Sequence, residues 1–217
     1  ESLDEQFEKK AFGRPEDLRR ILALNRMNGS LTNVLYSMEG ANTEFLAHQY
    51  KPVLKFIESP VGRLLIADEV GLGKTIEAVY IWQELQARSD ARRLLILCPS
   101  ILREKWQYDL RTRFDIDEAL LVDAKTLLDA LEPVADGSRK RSFVYIASLE
   151  SLRTREEDAD PYSMVARERL AGFLKANESG EGDPLLDLVI VDEAHYLRNA
   201  STASHQIAAM LRDVSRN

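Results

Sequence analysis

The sequence predicts an α/β fold, a parallel sheet with helices on both faces, preceded by a helical extension at the N-terminus. Three observations lead there. Beyond about residue 41, short apolar runs alternate with helical patterns, the rhythm of βαβ units. Nearly all of those runs are continuously apolar rather than alternating, as strands buried on both faces must be. One of them, Leu64-Leu65-Ile66, opens through a glycine turn straight onto a helical pattern. At 217 residues, 45% hydrophobic and 30% charged, the chain is long enough for one sizeable core, with right-handed crossovers between its strands.

Residues 1–40 read as the extension and 41–217 as the main domain. In the extension, Pro15 sits near a helix start, Leu18, Ile21 and Leu22 supply an apolar face, and Gly29 follows the last turn, giving a helix of about four turns. Between Phe45 and Ile57, the residues Val53, Leu54, Phe56 and Ile57 form a helical stripe. Pro52 falls in its first turn, where a missing N–H costs little. The strands are expected at Leu64–Ala67, Leu94–Cys98, Ala119–Val122, Phe143–Ala147 and Leu186–Val191, and the helices over 75–88, 101–113, 125–131, 162–176 and 201–212. Three polar stretches read as loops: Glu132–Ser142, Thr154–Pro161 and Asn177–Pro184.

The glycine turn carries the chemistry. In Asp68-Glu69-Val70-Gly71-Leu72-Gly73-Lys74-Thr75 a strand, a tight turn and a helix start bring backbone N–H groups and the positive end of a helix dipole to one small volume. That volume suits a phosphate. Lys74 can reach the β- and γ-phosphates, and the Thr75 hydroxyl can ligate the accompanying Mg²⁺. The customary first glycine of this motif is Asp68 here. Asp68 and Glu69 are members of the loop and not ligands, because a carboxylate beside a triphosphate is repelled unless a cation intervenes.

The second half of such a site ends the last expected strand, Val189-Ile190-Val191-Asp192-Glu193-Ala194-His195. A β-branched run closing on two acids delivers both to the carboxyl edge of a parallel sheet, the edge the phosphate loop also occupies. Asp192 would hold Mg²⁺, and Glu193 would orient and deprotonate the attacking water. His195 reads either as a coupling residue that relays the state of the γ-phosphate or as a hydrogen-bonded structural histidine. Gln49 presents a donor and an acceptor that match the adenine edge; otherwise it is an exposed helix glutamine.

Composition narrows the partners. A formal charge of −7 excludes nucleic-acid binding by bulk positive charge, so any such contact is local. The one cysteine, Cys98, closes an apolar run and is expected to be a buried thiol in a reducing, cytoplasmic setting. No apolar run nears the roughly 18 residues of a membrane span, and no secretory signal pattern opens the sequence. Residue 1 is Glu, and the expectation is a piece of a longer protein.

With these residues in view a family resemblance is plain. Asp68-Glu69-Val70-Gly71-Leu72-Gly73-Lys74-Thr75 resembles the ATP loop of SWI/SNF-type ATPases of helicase superfamily two. In the same order, His48-Gln49 resembles the glutamine motif, and Leu95-Ile96-Leu97-Cys98-Pro99-Ser100-Ile101-Leu102-Arg103-Glu104-Lys105-Trp106 resembles motif Ia. Tyr145 through Arg153 is similar to motif Ib, and Asp192-Glu193-Ala194-His195 to a DEAH-type motif II. The wording is most similar to the bacterial branch that includes the RNA-polymerase-recycling ATPase and defence-associated helicases.

The resemblance implies a RecA-like P-loop NTPase lobe, the first of two, that binds ATP and Mg²⁺ and moves on double-stranded DNA without necessarily separating the strands. It implies nucleotide binding by His48, Gln49, Val70, Gly71, Leu72, Gly73, Lys74 and Thr75. It assigns Pro99, Ser100, Trp106, Ser148 and Arg153 to nucleic-acid contact, although Pro99-Ser100 can equally cap a helix and Trp106 can equally be core. It also implies a second RecA-like lobe after Asn217, so that this lobe alone is nearly inactive. Two other readings stand beside the motor: a nucleotide-gated protein-interaction switch, and an RNA helicase sharing the Asp-Glu-Ala-His letters.

Overall fold

Four strands, β1 (Arg93–Cys98), β2 (Ala119–Leu121), β3 (Phe143–Ser148) and β4 (Leu188–Val191), form one all-parallel sheet in the order β2-β3-β1-β4. The computed structural model describes Leu35 and residues 46–67, 72–137, 141–154, 161–178 and 183–217. The chain divides into two compact units, Glu1–Leu35 and Tyr36–Asn217. The expected helix between Pro15 and Gly29 lies outside the described residues, as do Asp68, Glu69, Val70 and Gly71 of the glycine turn.

The helices are α1 (Tyr50–Glu58), α2 (Lys74–Ser89), α3 (Arg103–Phe114), α4 (Ala124–Ala135), the single turn α5 (Leu149–Leu152), α6 (Pro161–Ala176) and α7 (Ala203–Asp213). Strand periodicity sorts the core into two halves. Leu95 and Leu97 of β1 join Leu127 and Leu131 of α4, Leu170 and Leu174 of α6, and Ile207 and Leu211 of α7 in one cluster. Leu94, Ile96 and Cys98 have the opposite parity and are equally without exposure, so the other face is covered as well. There α3 packs on β2 and β3. Tyr80 of α2 stacks on Tyr50 of α1 with ring centroids 4.7 Å apart and meets Phe114 of α3 edge-on at 5.9 Å, tying three helices together. Each fully buried Leu or Ile in these layers contributes about 1.5–3 kcal/mol.

The amino end of β4 is fastened by a buried charge. Asp187 is 4% exposed, and its Oδ2 accepts from the backbone N–H of Arg92 (2.9 Å), the backbone N–H of Arg93 (2.9 Å) and Arg93 Nε (3.1 Å), while Oδ1 accepts from Arg93 Nη2 (3.2 Å). Burial by itself would raise the Asp187 pKa, but the Arg93 guanidinium and the two backbone donors outweigh it and hold the carboxyl below its ordinary value. This clamp fixes the register in which Leu94–Leu97 face Leu188–Val191.

Two expectations need correction. Leu64–Ala67 is not a strand, and Leu65 is 76% exposed. Beside the amino half of β4 lie Ser215–Asn217: Arg216 N–H donates to Leu186 O (2.9 Å), Val189 N–H donates to Asn217 O (3.0 Å), and Leu186 bridges Ser215 in parallel. Gly62 abuts Asn217 so closely that a Cβ there would lie 2.3 Å from its Oδ1, and residues 64–67, which follow, pair with no strand among the described residues. The second correction is the loop expected from Glu132. Helix α4 continues to Ala135 with Pro133 inside it, because a proline in the last turn removes one hydrogen bond without interrupting the ladder that follows.

Candidate active site

The candidate side chains fall in two groups, one around the start of α2 and one at the end of β4. Helix α2 begins at Gly73, whose φ of 94° and ψ of 30° are left-handed and which offers no side-chain cap. Its carbonyl accepts the first intrahelical bonds, from Ile76 N–H (2.8 Å) and Glu77 N–H (3.1 Å). Lys74 and Thr75 are therefore the first two residues of the helix, at its positive end. Gln49 closes the 3₁₀ turn Ala47–Gln49 ahead of α1. Contrary to the alternative of an exposed helix glutamine, it is 2% exposed. Its Nε2 donates to Leu72 O at 3.2 Å, and a Cβ on Gly73 would come within 2.3 Å of the same nitrogen. The glutamine and the glycine turn thus touch directly. His48, beside it, is exposed.

At the end of β4, Asp192 N–H donates to Leu97 O (2.8 Å), carrying the ladder one residue past the strand. Both carboxylate oxygens are held: Oδ1 accepts from Glu193 N–H at 2.9 Å and Oδ2 from Trp106 Nε1 at 2.9 Å. The chain then turns sharply, with Glu193 in the left-handed region at φ 53°, a conformation that costs a non-glycine residue about 1–2 kcal/mol. Strain of this kind accumulates where a side chain must be aimed. Glu193 Oε2 lies 3.0 Å from His195 Nδ1, both side chains being about half exposed, and the His195 ring rests on Tyr196 with centroids 4.3 Å apart.

A cleft of about 120 Å³ opens at the carboxyl edge between β1, β3 and β4, lined by Cys98, Pro99, Glu150, Arg153, Asp192 and Tyr196 among others. Burial first, and then the charge of Asp192, push the Cys98 thiol up to about 12, so at neutral pH it is an inert, protonated core residue.

The residues expected to touch nucleic acid divide. Ser100 is exposed at the start of the 3₁₀ turn Ser100–Leu102, and Pro99 precedes it without a side-chain cap. Trp106 and Ser148 are buried, Trp106 taking the core position that was its alternative. Trp106 is 4% exposed with its indole spent on Asp192. Ser148 is 2% exposed, and its Oγ accepts from Ser151 N–H at 3.1 Å, capping α5. Arg153 reaches inward too, donating from Nη1 to Ser204 Oγ on α7 at 2.8 Å. The links Trp106–Asp192 and Arg153–Ser204, and the Asp187 clamp, carry no sequence signal: the partners stand 86, 51 and 94 residues apart, and only the folded chain joins them.

Comparison with known proteins shows the family. Residues 31–216 match the model of the SNF2-related domain. The chain is 30% identical over 200 residues to the RNA polymerase-associated protein RapA of Stutzerimonas stutzeri strain A1501, covering 90% of this chain and 18% of that protein. It is 32% identical over 179 residues to RapA of Pseudomonas aeruginosa strain LESB58, covering 82% of this chain and 16% of the relative. It thus spans less than a fifth of these relatives. On these matches the chain belongs to the SNF2-related domain family, the SWI/SNF-type ATPases of helicase superfamily two.

Proposed function

We propose that this chain is the ATP-binding lobe of a DNA-stimulated, SWI/SNF-type translocase that hydrolyses ATP to move on duplex DNA. The observations that support the reading are a glycine-led helix start at Lys74-Thr75 and, 118 residues beyond Lys74, two acids, Asp192 and Glu193, that follow β4. Length and direction support their convergence. Helix α2 has 16 residues, about 24 Å, and enters β1 through Asp90–Arg92, while β1 has six residues, about 20 Å. A helix running back along the strand it feeds has its start at the strand's carboxyl end, the rim that carries Asp192.

The residues present suit a magnesium nucleotide. Gln49 Oε1 is a buried acceptor without a hydrogen-bond partner among the described residues, as an amide reserved for a donor on a base would be. An ion held largely by phosphate oxygens needs only one carboxylate and one hydroxyl from the protein. Thr75 and Asp192 would be its protein ligands. Mg²⁺, when bound, neutralises charge on the β- and γ-phosphates. The N–H groups at Lys74 and Thr75 orient the phosphates, Lys74 supplies a fixed positive charge, Glu193 takes the proton of the attacking water, and His195 holds the Glu193 carboxylate.

Pro99 and Ser100, at an exposed turn, and Arg153, in the cleft, are the residues proposed to meet the DNA backbone. A net charge of −7 suits a motor that grips few phosphates and releases them, since each added contact steepens the salt dependence of binding. Among the described residues no helix is long and apolar enough to cross a membrane. The test is ATP turnover by the longer protein with and without duplex DNA or RNA. Stimulation by duplex DNA that disappears in Lys74→Ala is expected; stimulation by RNA alone, or by neither, would overturn the proposal.

A further inference from the structure

The carboxylate of Asp192 is held by two donors of different origin. The Glu193 N–H belongs to the same turn and would be present in almost any chain leaving a strand there. The Trp106 indole comes from another helix, 86 residues earlier, and delivers a neutral donor at 2.9 Å to the outer oxygen Oδ2 while remaining 4% exposed. An indole N–H can only donate. It stops the carboxylate rotating without adding positive charge that would compete with a cation, as a lysine or arginine in that place would. Such outer partners govern how well a carboxylate presents its free lone pairs to a hard ion. The other tryptophan, Trp82, is also buried, and its Nε1 has no hydrogen-bond partner among the described residues.

We propose that Trp106 is a positioning residue for the magnesium site: through its N–H, helix α3 sets the orientation of Asp192 and with it the affinity for Mg²⁺. The inference rests on the reading of Asp192 as the metal carboxylate. It reassigns a residue of motif Ia from the nucleic-acid surface to the nucleotide site.

The test uses the full-length protein and Trp106→Phe, which keeps an aromatic ring in the core and deletes the donor. ATP turnover at saturating ATP is measured against Mg²⁺ concentration, beside nucleotide affinity without Mg²⁺ and the thermal midpoint. The expected result is a half-saturating Mg²⁺ concentration raised about 10- to 100-fold, with metal-free nucleotide affinity unchanged, turnover recovered in excess Mg²⁺, and a thermal midpoint lowered only by what losing one hydrogen bond to a carboxylate accounts for. An unchanged Mg²⁺ requirement overturns the proposal. Should the variant fold poorly, the unsubstituted protein labelled with 5-fluorotryptophan serves instead. In the 217-residue chain, whose tryptophans are Trp82 and Trp106, the ¹⁹F resonance of Trp106, told from that of Trp82 by Trp82→Phe, moves when Mg²⁺ is added to the ADP complex; a stationary resonance overturns the assignment. Asp192→Asn separates the two layers. If it leaves the Mg²⁺ dependence intact, the metal-carboxylate reading fails and the positioning role with it. If it abolishes that dependence while Trp106→Phe is silent, the positioning role alone fails.

Discussion

Replacing Asp187 tests how the sheet holds the catalytic edge, because β4 has only four residues between this clamp and Asp192. Asp187 Oδ2 receives three donors and Oδ1 one. Asp187→Asn can keep an oxygen at the crowded position but turns an NH₂ toward Arg93 Nη2, so it loses the charge and one bond. Hydrogen bonds to charged groups are each worth about 1.5–3 kcal/mol, and a loss of that order is expected. Asp187→Ala strands two backbone N–H groups and a guanidinium that is 15% exposed; breaking a buried pair costs about 3–5 kcal/mol. Urea unfolding of the 217-residue chain, followed by circular dichroism, measures both.

The pH dependence has a definite sign. The folded pKa of Asp187 is depressed, so its stabilisation is complete above the unfolded value near 3.9 and drains away as pH falls below that toward the depressed one. Asp187→Ala should flatten this part of the acid limb. An Ala variant that costs under about 1 kcal/mol, below the usual range for buried pairs, or that keeps the full acid limb, would refute the account.

Gly73→Ala meets Gln49 Nε2 at 2.3 Å and forces alanine to φ 94°. The left-handed penalty alone is about 1–2 kcal/mol, so fluorescent-nucleotide titration should register roughly a 10-fold weaker affinity. Glu193→Gln should retain ATP while turnover collapses, measured by single-turnover hydrolysis; a variant that instead locks on a partner-activated state would favour the nucleotide-gated switch. The 217-residue chain alone should show little DNA-stimulated ATPase, and adding a downstream RecA-like lobe should restore it, since an arginine supplied in trans is worth about 10³–10⁵ in rate. Strong stimulation of the isolated chain would contradict that prediction.

The local grammar of this protein was readable in its letters. Continuous apolar runs at Leu94–Cys98 and Phe143–Ala147 gave parallel central strands, because strands covered on both faces leave no polar position to alternate. Glycine followed by Lys-Thr gave a helix start at Gly73-Lys74, because only a residue free of a Cβ adopts that φ cheaply. What failed was whatever depended on neighbours. Leu64–Ala67 has strand composition, yet strand character needs a ladder partner, and these residues pair with none among the described residues. For Trp106 the letters left core and nucleic-acid contact equally open, and burial with a hydrogen bond to Asp192 placed it in the core; Ser148 is buried as well and caps a helix turn through Ser151.

The sequence by itself determined the layers, the acids at the end of β4 and the family, since each is written in spacing within a few residues. Only the tertiary structure decided that Gln49 braces the glycine turn, that Asp187 pins one end of β4, and that an indole from α3 steadies Asp192 at the other. Such pairings join side chains dozens of residues apart, and no local periodicity encodes which of them will meet when the layers close.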